Sequence, residues 1–246
     1  MASIKSLPIF YECSNYFIVN KPYGMFSQPG DLNAWFRHYP HRHRPPVVLD
    51  QLIQERGSSD KFASEWRTVH RLDACVTGGM LIARNKNAAI QFSKNLRKGG
   101  YKGFKLTRRY VALVNGKIAE KYLPDEGLIS CLGMTSKYKR FDENCMVLEL
   151  VTGGKRQIRR HMSEAVGTPI LNDAKFGGLQ IVEANPEQIA LHSASIHTMI
   201  GLQTRKHLIP MIYNNNGVLW DSKYLHKDGT FIEEIRKVLL EEWNSI

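Results

Sequence analysis

The stretch TVHRLDACVTGGMLIA, residues 68–83, places an arginine and an aspartate directly before an apolar run that predicts a buried strand. Arg71 and Asp73 lie two positions apart, so in an extended segment their side chains point to the same side. The nearby guanidinium favours the ionised form of the carboxylate. An ionised, partly desolvated aspartate can act as a nucleophile. Gly78 and Gly79 are expected to let the chain turn tightly and to let a ligand chain approach the backbone.

The charge balance of the chain favours a polyanionic partner. The 246 residues include 34 Lys and Arg against 23 Asp and Glu, which leaves a net charge of +11. Such an excess favours nucleic acid, because neutralising phosphates releases counterions. No apolar run approaches the roughly 18 residues of a membrane span, so no membrane partner is predicted. On charge alone, a merely soluble basic protein remains the alternative.

The cysteines and histidines do not form the pattern of a metal site. Cys13, Cys75, Cys131 and Cys145 contain no CxxC pair, which argues against structural zinc and against a disulfide framework. We therefore expect reduced thiols and an intracellular protein. The segment HYPHRHRPP, 38–46, has three histidines without an obvious Cys or carboxylate partner, which favours a solvated basic loop. No metal and no cofactor are predicted.

Strand and helix patterns are mixed along the chain without a regular alternation or a fixed-period repeat. The interval from about 27 to 46 is rich in Pro, His and Arg and predicts a basic loop insertion. This organisation favours an α+β fold with a mixed, mainly antiparallel sheet flanked by helices. We expect a single domain over 1–246 with a short N-terminal tail, 1–7. Strands are predicted near 16–20, 78–84, 108–116, 145–154 and 189–196, and helices near 47–57, 85–100, 155–167 and 231–243.

Two further patches carry candidate chemistry. RRYVALVNG, 108–116, puts Tyr110 at the head of a buried strand, where its ring can stack and its phenol can take part in proton transfer. TGGKRQIRRH, 152–161, opens on glycines and leads into a helix start rich in arginine, a residue suited to phosphate binding. Taken singly, Asp73 is a turn residue, Tyr110 a core residue and Arg159 a surface charge. The functional interpretation depends on their meeting in one site.

The order of these motifs resembles the RluA-type pseudouridine synthases, which modify RNA. The resemblance covers roughly residues 8–200, and five ordered motifs are more specific than any one of them. The matching stretches are IFYECSNYFIVNKPYGMFSQPG (9–30), similar to the opening strand and NKP-x-G turn; HRLDACVTGGMLIARN (70–85), similar to the HRLD motif; TRRYVALVNG (107–116), similar to K-x-Y-x-A-x-V-x-G; TGGKRQIRRHMSEAVGTPILND (152–173), similar to a motif containing Q-I-R and G-x-P-I-x-G-D; and ALHS (190–193), similar to LHA.

The resemblance implies a pseudouridine synthase catalytic domain with a central cleft, no cofactor and no metal. Such an enzyme flips a uridine out of the RNA and rejoins its base through C5. By position, Asp73 would be the catalytic aspartate, Arg159 would pair with its carboxylate, and Tyr110 would pack on the base and help the proton leave C5. Arg71 would enter the space that the nucleotide vacates. The implied RNA-binding residues are Arg71, Arg108, Arg109, Lys155 and Arg156.

Five positions depart from the family pattern. Ala74, Cys75 and Val76 replace the usual basic, acidic and hydroxyl residues after HRLD. Gly154 stands where the family usually has arginine, and Arg156 where it usually has histidine. None of these departures removes a proposed catalytic group. They concern contacts with the substrate more than the chemistry.

Within the family, the short chain and HRLDACVTGG most resemble fungal mitochondrial members that act on large-subunit ribosomal RNA. We therefore expect a ribosomal RNA substrate, a mitochondrial location and a monomer. The alternative is a non-catalytic RNA-binding protein of ribosome assembly, which explains the charge but not the Asp–Tyr–Arg set. A hydrolase with an aspartate nucleophile is disfavoured, because no suitably placed second carboxylate and no phosphate-and-magnesium motif is present.

Overall fold

A ten-stranded sheet forms the centre of the computed structural model, which describes residues 6–38, 40–41, 43–97, 102–116, 123–211 and 216–243. The strands follow one another across the sheet in the order β1-β2-β4-β9-β5-β8-β7-β6, with β3 added to β4 and β10 to β9. Their bounds are β1 Ile9–Glu12, β2 Tyr16–Lys21, β3 Arg67–Thr68, β4 Thr77–Ala83, β5 Lys105–Leu113, β6 Glu126–Cys131, β7 Met134–Arg140, β8 Cys145–Leu150, β9 Leu191–Ile200 and β10 Gln203–Leu208.

The pairing of the strands confirms the expected mixed, mainly antiparallel sheet. Among the described strands, β4 and β9 run parallel, with Thr77 opposite His192 and Gly78 opposite Ser193. The other neighbouring pairs are antiparallel. The central position of β5, between β8 and β9, explains why its sequence is apolar on both faces.

Helices cover the sheet and join its strands. Asn85 caps the helix that follows β4, because its side chain accepts a hydrogen bond from the Ala88 N–H at 2.8 Å. No helix of the described chain has both the length and the apolar character needed to cross a membrane. The helices are α1 Leu32–His38, α2 Val48–Arg56, α3 Lys86–Leu96, α4 Gln157–Arg160, α5 Asn216–Leu219 and α6 Glu233–Leu240.

Alternation along β2 divides the core between the two faces of the sheet. Tyr16 and Ile18 belong to a cluster with Phe92 of α3, and the rings of Tyr16 and Phe92 meet edge to face at 5.7 Å. Phe17 and Val19 point the other way into a larger cluster. Strand β2 is buried on both faces, as the apolar run at its start predicts.

The predicted tight turn at Gly78 and Gly79 is wrong, because both residues lie inside the continuous strand β4. A Cβ on Gly78, whose φ is +111°, would lie 2.5 Å from the Ser193 carbonyl oxygen. A Cβ on Gly79 would lie 2.8 Å from Cγ1 of Ile209. The two glycines therefore allow neighbouring chain segments to approach closely, which a side chain would prevent.

Two predicted segments also need correction. The loop predicted over 27–46 contains helix α1, which brings the Trp35 ring to 5.4 Å from the ring of Phe26. The helix predicted from residue 155 begins at Gln157, because Arg156 adopts a left-handed conformation with φ of 57°. After α4 the backbone widens into a π-helical turn over His161–Ala165, in which Ala165 is exposed.

Some predictions lie outside the described residues. They concern 1–5 of the N-terminal tail, 39 and 42 of the basic loop, and 98–100 at the end of the helix predicted over 85–100. Strands β1, β6, β7 and β10 were not predicted, because their sequences mix charged and apolar residues at half-exposed positions.

Candidate active site

A cleft of about 490 Å³ opens where the β3–β4 loop, strand β5 and the connection from β8 to α4 come together. This volume is within the range of sites that enclose small ligands. The residues of the loop that line the cleft are 68–73, β5 contributes Arg108 and Tyr110, and the connection with α4 contributes 153–159. The structure thus brings together the three motifs on which the functional interpretation depends.

The loop that carries Asp73 is fixed to the first part of the chain on both sides of the aspartate. The Ser27 hydroxyl donates to the Leu72 carbonyl at 2.7 Å and accepts from the Leu72 N–H at 2.9 Å. The Ala74 carbonyl accepts from the Gly24 N–H at 2.8 Å. Asp73 is therefore presented from an anchored backbone, although the loop has no regular secondary structure.

Lys21 lies beneath this loop with no exposed surface. Its ammonium donates to the carbonyls of Pro22 at 2.8 Å, Met25 at 3.0 Å and Ala74 at 3.3 Å. Burial lowers the pKa of Lys21 to about 7. Lys21 was not among the predicted site residues, although the NKP motif marked its position.

Arg159 holds two aspartates at the floor of the cleft. Its Nη1 donates to Oδ2 of Asp73 at 2.8 Å, which is the predicted ion pair. Its Nε and Nη2 donate to Oδ2 and Oδ1 of Asp173 at 2.7 and 2.8 Å. Asp173, which is 1% exposed, was missed as a site residue; the sequence signal was its place at the end of GTPILND.

The two carboxylates use Arg159 differently. Asp173 takes the bidentate edge of the guanidinium and is fully buried, whereas the side chain of Asp73 keeps 30% of its surface exposed. No described residue donates a hydrogen bond to Oδ1 of Asp73. Burial by itself would lower the pKa of Arg159, but hydrogen bonds and charge from Asp173, Cys75 and Asp73 raise it above its ordinary value. Asp73 therefore combines a fixed orientation with one available oxygen.

Tyr110 forms a wall of the cleft and is 3% exposed. Burial raises the pKa of its phenol, although the positive charge of Arg108 acts in the opposite direction. The side chain is therefore a neutral phenol at physiological pH. Tyr110 lines the same cleft as Asp73, as the predicted base contact requires.

The predicted RNA-binding residues fall into three groups. Arg71 and Lys155 are exposed at the cleft, and Arg156 lines it half-buried. Arg108 also lines the cleft but is only 6% exposed. Arg109 does not line the cleft and is 2% exposed.

The prediction that Arg109 binds RNA is wrong. Residues 108 and 110 share one face of β5, so the side chain between them points to the other face. There Nε of Arg109 donates to Oε2 of Glu149 at 2.7 Å, and Nη1 donates to the carbonyls of Leu239 at 2.9 Å and Glu241 at 2.6 Å. Its guanidinium also lies 4.5 Å from the ring centre of Trp243. Arg109 ties the end of α6 to the sheet.

The described side chains contain no group of three or more His, Cys, Asp or Glu arranged to hold a metal ion. His41 and His43, considered above as metal ligands, are both exposed. The polar groups that meet in the cleft include one carboxylate with its guanidinium, a phenol and several basic side chains. This set can orient a polyanion and supply a carboxylate to a reacting centre.

Comparison with known proteins identifies the class to which this fold and cleft belong. The family model described as "RNA pseudouridylate synthase" matches residues 15–164, which include Asp73, Tyr110 and Arg159. The chain belongs to this family, and the recognition made from the motifs is confirmed.

Individual relatives narrow the comparison. The chain is 46% identical to the "21S rRNA pseudouridine(2819) synthase" of Saccharomyces cerevisiae, covering 99% of this chain and 100% of that protein. It is 44% identical to the protein of the same name from Eremothecium gossypii, covering 95% and 88%. A plant relative, "RNA pseudouridine synthase 4, mitochondrial" of Arabidopsis thaliana, is 27% identical over 69% of this chain and 40% of its own length.

Solved structures support the fold. Human RNA Pseudouridylate Synthase Domain Containing 1 superposes with a TM-score of 0.61 at 17% identity, covering 97% of this chain and 96% of that one. Human RNA Pseudouridylate Synthase Domain Containing 4 gives a TM-score of 0.57 at 18% identity, covering 81% and 87%. At these identities the comparison concerns the fold, and the predicted pseudouridine synthase fold is confirmed.

Proposed function

We propose that this chain converts a uridine of the mitochondrial large-subunit ribosomal RNA into pseudouridine, with Asp73 as the reacting carboxylate. The observation that carries the proposal is the state of Asp73 in the cleft. One oxygen is bound by Arg159, and the other has no donor among the described residues. The names of the 46% and 44% identical relatives support ribosomal RNA as the substrate.

Isomerisation breaks the bond from N1 of uracil to C1′ of the ribose and forms a bond from C5 to C1′. The base must leave the stack before it can rotate, so the nucleotide has to be flipped into the cleft. We assign Arg71 to the space that the nucleotide leaves, because it is exposed at the cleft two residues before Asp73. The detached base must stay enclosed until it rejoins, which requires the occupied cleft to be closed against bulk water.

The carboxylate of Asp73 has three chemically reasonable roles. It can attack the ribose, attack the base, or remove a ribose proton to give a glycal. All three need an ionised carboxylate held in one orientation, which the ion pair with Arg159 supplies. Asp173 holds Arg159 from its other edge and so acts as a positioning residue.

We assign Tyr110 to the face of the uracil ring. Its neutral phenol can pack against the base and pass on the proton that leaves C5, while N1 of the detached base gains a proton. The raised pKa of the phenol favours this relay over a standing phenolate. A phenylalanine at this position would keep the stacking surface and lose the relay.

The location and assembly of the protein are further parts of the proposal. The plant relative with "mitochondrial" in its name and the 21S ribosomal RNA in the names of the fungal relatives support a mitochondrial location. We also propose a single catalytic domain that acts as a monomer. In support, residues from β5, the β3–β4 loop and the segment before α4 line the cleft within one chain.

The test is conversion of RNA by the purified protein. The protein is incubated with a transcript of the mitochondrial large-subunit ribosomal RNA, and pseudouridine is mapped by carbodiimide adducts and primer extension. We expect one new modification with the wild-type chain and none with Asp73→Asn. Binding of the transcript by folded wild-type protein without any conversion would favour the non-catalytic RNA-binding alternative.

A further inference from the structure

Three arginines are buried in the described chain, and only two of them have partners. Arg159 pairs with Asp73 and Asp173, and Arg109 pairs with Glu149. Arg108 is 6% exposed, yet no described residue forms an ion pair or a hydrogen bond with it, and its buried Nε is unpartnered. A buried charge without a partner is energetically costly. Binding of an anion at Arg108 would therefore be favourable.

The position of Arg108 shows from where that anion can come. Arg108 lines the cleft from β5 and shares a face of the strand with Tyr110. The charge of Arg108 acts on Tyr110, on which the charge of Asp73 acts as well. Arg108 therefore belongs to the same enclosed space as the reacting groups, but it is separate from the Asp73–Arg159 pair.

A second donor without a partner lines the same cleft. The Nε2 atom of His70 accepts a hydrogen bond from the Leu81 N–H at 2.9 Å, so in the neutral ring the proton is on Nδ1. Burial, and to a lesser degree the charge of Arg108, holds the pKa of His70 well below its ordinary value, so the ring is neutral. The buried Nδ1–H has no partner among the described residues.

We propose that Arg108, with the Nδ1–H of His70 as a second donor, binds a phosphate that flanks the flipped uridine. This inference rests on the proposed function, because it takes an RNA nucleotide as the occupant of the cleft. A phosphodiester fits better than a uracil carbonyl, since only a charged acceptor compensates the guanidinium. The subsite would hold the backbone of the flipped nucleotide while Asp73 and Tyr110 act on its ribose and base.

The test is a double-mutant cycle. It combines a substitution of Arg108 with the removal of the charge of one RNA phosphate at a time. RNA oligonucleotides spanning the modified uridine carry a neutral methylphosphonate on its 5′ or its 3′ side. The neighbouring 2′-hydroxyl is replaced by fluorine in the charged and neutral versions alike, for chemical stability. Dissociation constants are measured for the wild type and for Arg108→Gln. Either change alone should weaken binding about 10- to 100-fold, and both together no more than one alone.

The controls separate a specific contact from general attraction. Lys105 is exposed on the same strand and does not line the cleft, so Lys105→Gln loses the same charge and should show no coupling to either linkage. Arg108→Lys retains the charge and should keep part of the coupling. The same cycle with His70→Phe should show a smaller coupling of about 3- to 10-fold; its absence removes His70 from the subsite.

The outcomes are distinct. Additive losses in Arg108→Gln and the methylphosphonates at both positions overturn the subsite. If Arg108→Gln does not fold, wild-type affinities along a methylphosphonate scan decide instead: a loss confined to one linkage beside the uridine supports the proposal, and a uniform loss overturns it. Conversion of the unmodified oligonucleotide by the wild type is measured separately, so a failure of the proposed function is recognised independently.

Discussion

Two buried arginines on opposite faces of the sheet are held in different ways. Arg109 binds Glu149, carbonyl groups at the end of α6 and the ring of Trp243, and it does not line the cleft. Arg159 binds the buried Asp173 with one edge and the half-exposed Asp73 with the remaining Nη1. The first arrangement uses its charged groups to fasten one element to another.

The two arginines differ in whether their partners keep a hydrogen-bonding group available to a ligand. A closed network has no group left for a ligand, so the Arg109 side contributes stability. Arg159 binds both oxygens of Asp173 but only one oxygen of Asp73. It therefore orients the carboxylate of Asp73 and leaves the other oxygen available in the cleft. A buried ion pair therefore indicates a functional site only when one of its members still faces an accessible space.

The largest expected effect distinguishes the two carboxylates. Asp73→Asn keeps the shape of the side chain and removes the reacting charge, so pseudouridine formation should fall by a factor of at least about 1,000. Affinity for RNA should stay nearly the same. Glu149→Gln is the matched change at Arg109 and should leave the rate of the folded protein close to that of the wild type. Full turnover by Asp73→Asn on native RNA would remove its catalytic assignment.

The second-largest expected effect is the loss of stability when the guanidinium of Arg159 or of Arg109 is removed. Arg159→Ala leaves Asp73 and Asp173 without their ion pair, and Arg109→Ala leaves Glu149 without its own, so each should lower the free energy of unfolding by about 3–5 kcal/mol. Chemical denaturation measures this loss. Only Arg159→Ala should also lower the single-turnover rate per folded molecule. Normal stability and activity in Arg159→Ala would contradict the role of its ion pairs.

Lowering the pH should reduce the stability of the fold around Arg109, because His197 takes up a proton more readily in the unfolded protein. Burial, followed by the charge of Arg109, lowers the pKa of His197 to about 4, and burial lowers those of His192 and His207 to about 4 as well. Because the folded pKa is below the unfolded value of about 6.5, the stabilising contribution is complete above pH 6.5 and is lost as the pH falls towards 4. Each ring accounts for roughly 3 kcal/mol at most.

The pH dependence is checked by denaturation at a series of pH values from 8 to 4. His197→Gln should give a flatter decline between pH 6.5 and 4 than the wild type, because the ring of His197 no longer takes up a proton on unfolding. An unchanged slope in this variant would mean that folding does not lower the pKa of His197.

The smallest expected effect concerns the rim of the cleft. Lys155 is exposed there, so Lys155→Gln should reduce the slope of log affinity against log salt by roughly 0.7, the value for one single-strand phosphate contact. Lys227 is exposed and does not line the cleft, so Lys227→Gln is the control and should leave the slope unchanged. Equal slopes for both variants would move the RNA-binding surface away from Lys155.

The comparison also shows where interpretation of the sequence succeeded. The strand β2, the strand β4 and the capped helix α3 follow from short-range patterns of apolar residues and from Asn85. The pairing of Asp73 with Arg159 was inferred from motif resemblance, since 86 positions separate the two residues. Local periodicity alone gives no information on such a contact.

The errors have a common physical origin. Arg108 and Arg109 carry the same charge in the same motif, and alternation along β5 separates them, but the partners of Arg109 come from β8 and α6. Gly78 and Gly79 were interpreted as a turn, and the reason for them is the close approach of β4 to β9 and to Ile209. In each case a distant segment determines what the residue does.

The amino-acid sequence by itself determined the family, the reacting aspartate as a candidate, and the strands and helices whose side-chain period is strong. These properties depend on neighbours within a few residues or on ordered motifs. The tertiary structure alone decided that Asp173 holds Arg159, that Arg109 stabilises α6, and that Arg108 is buried in the cleft without a partner. Burial and charge compensation depend on segments that come together only in the folded protein. The amino-acid sequence contains no information on the distances between such segments.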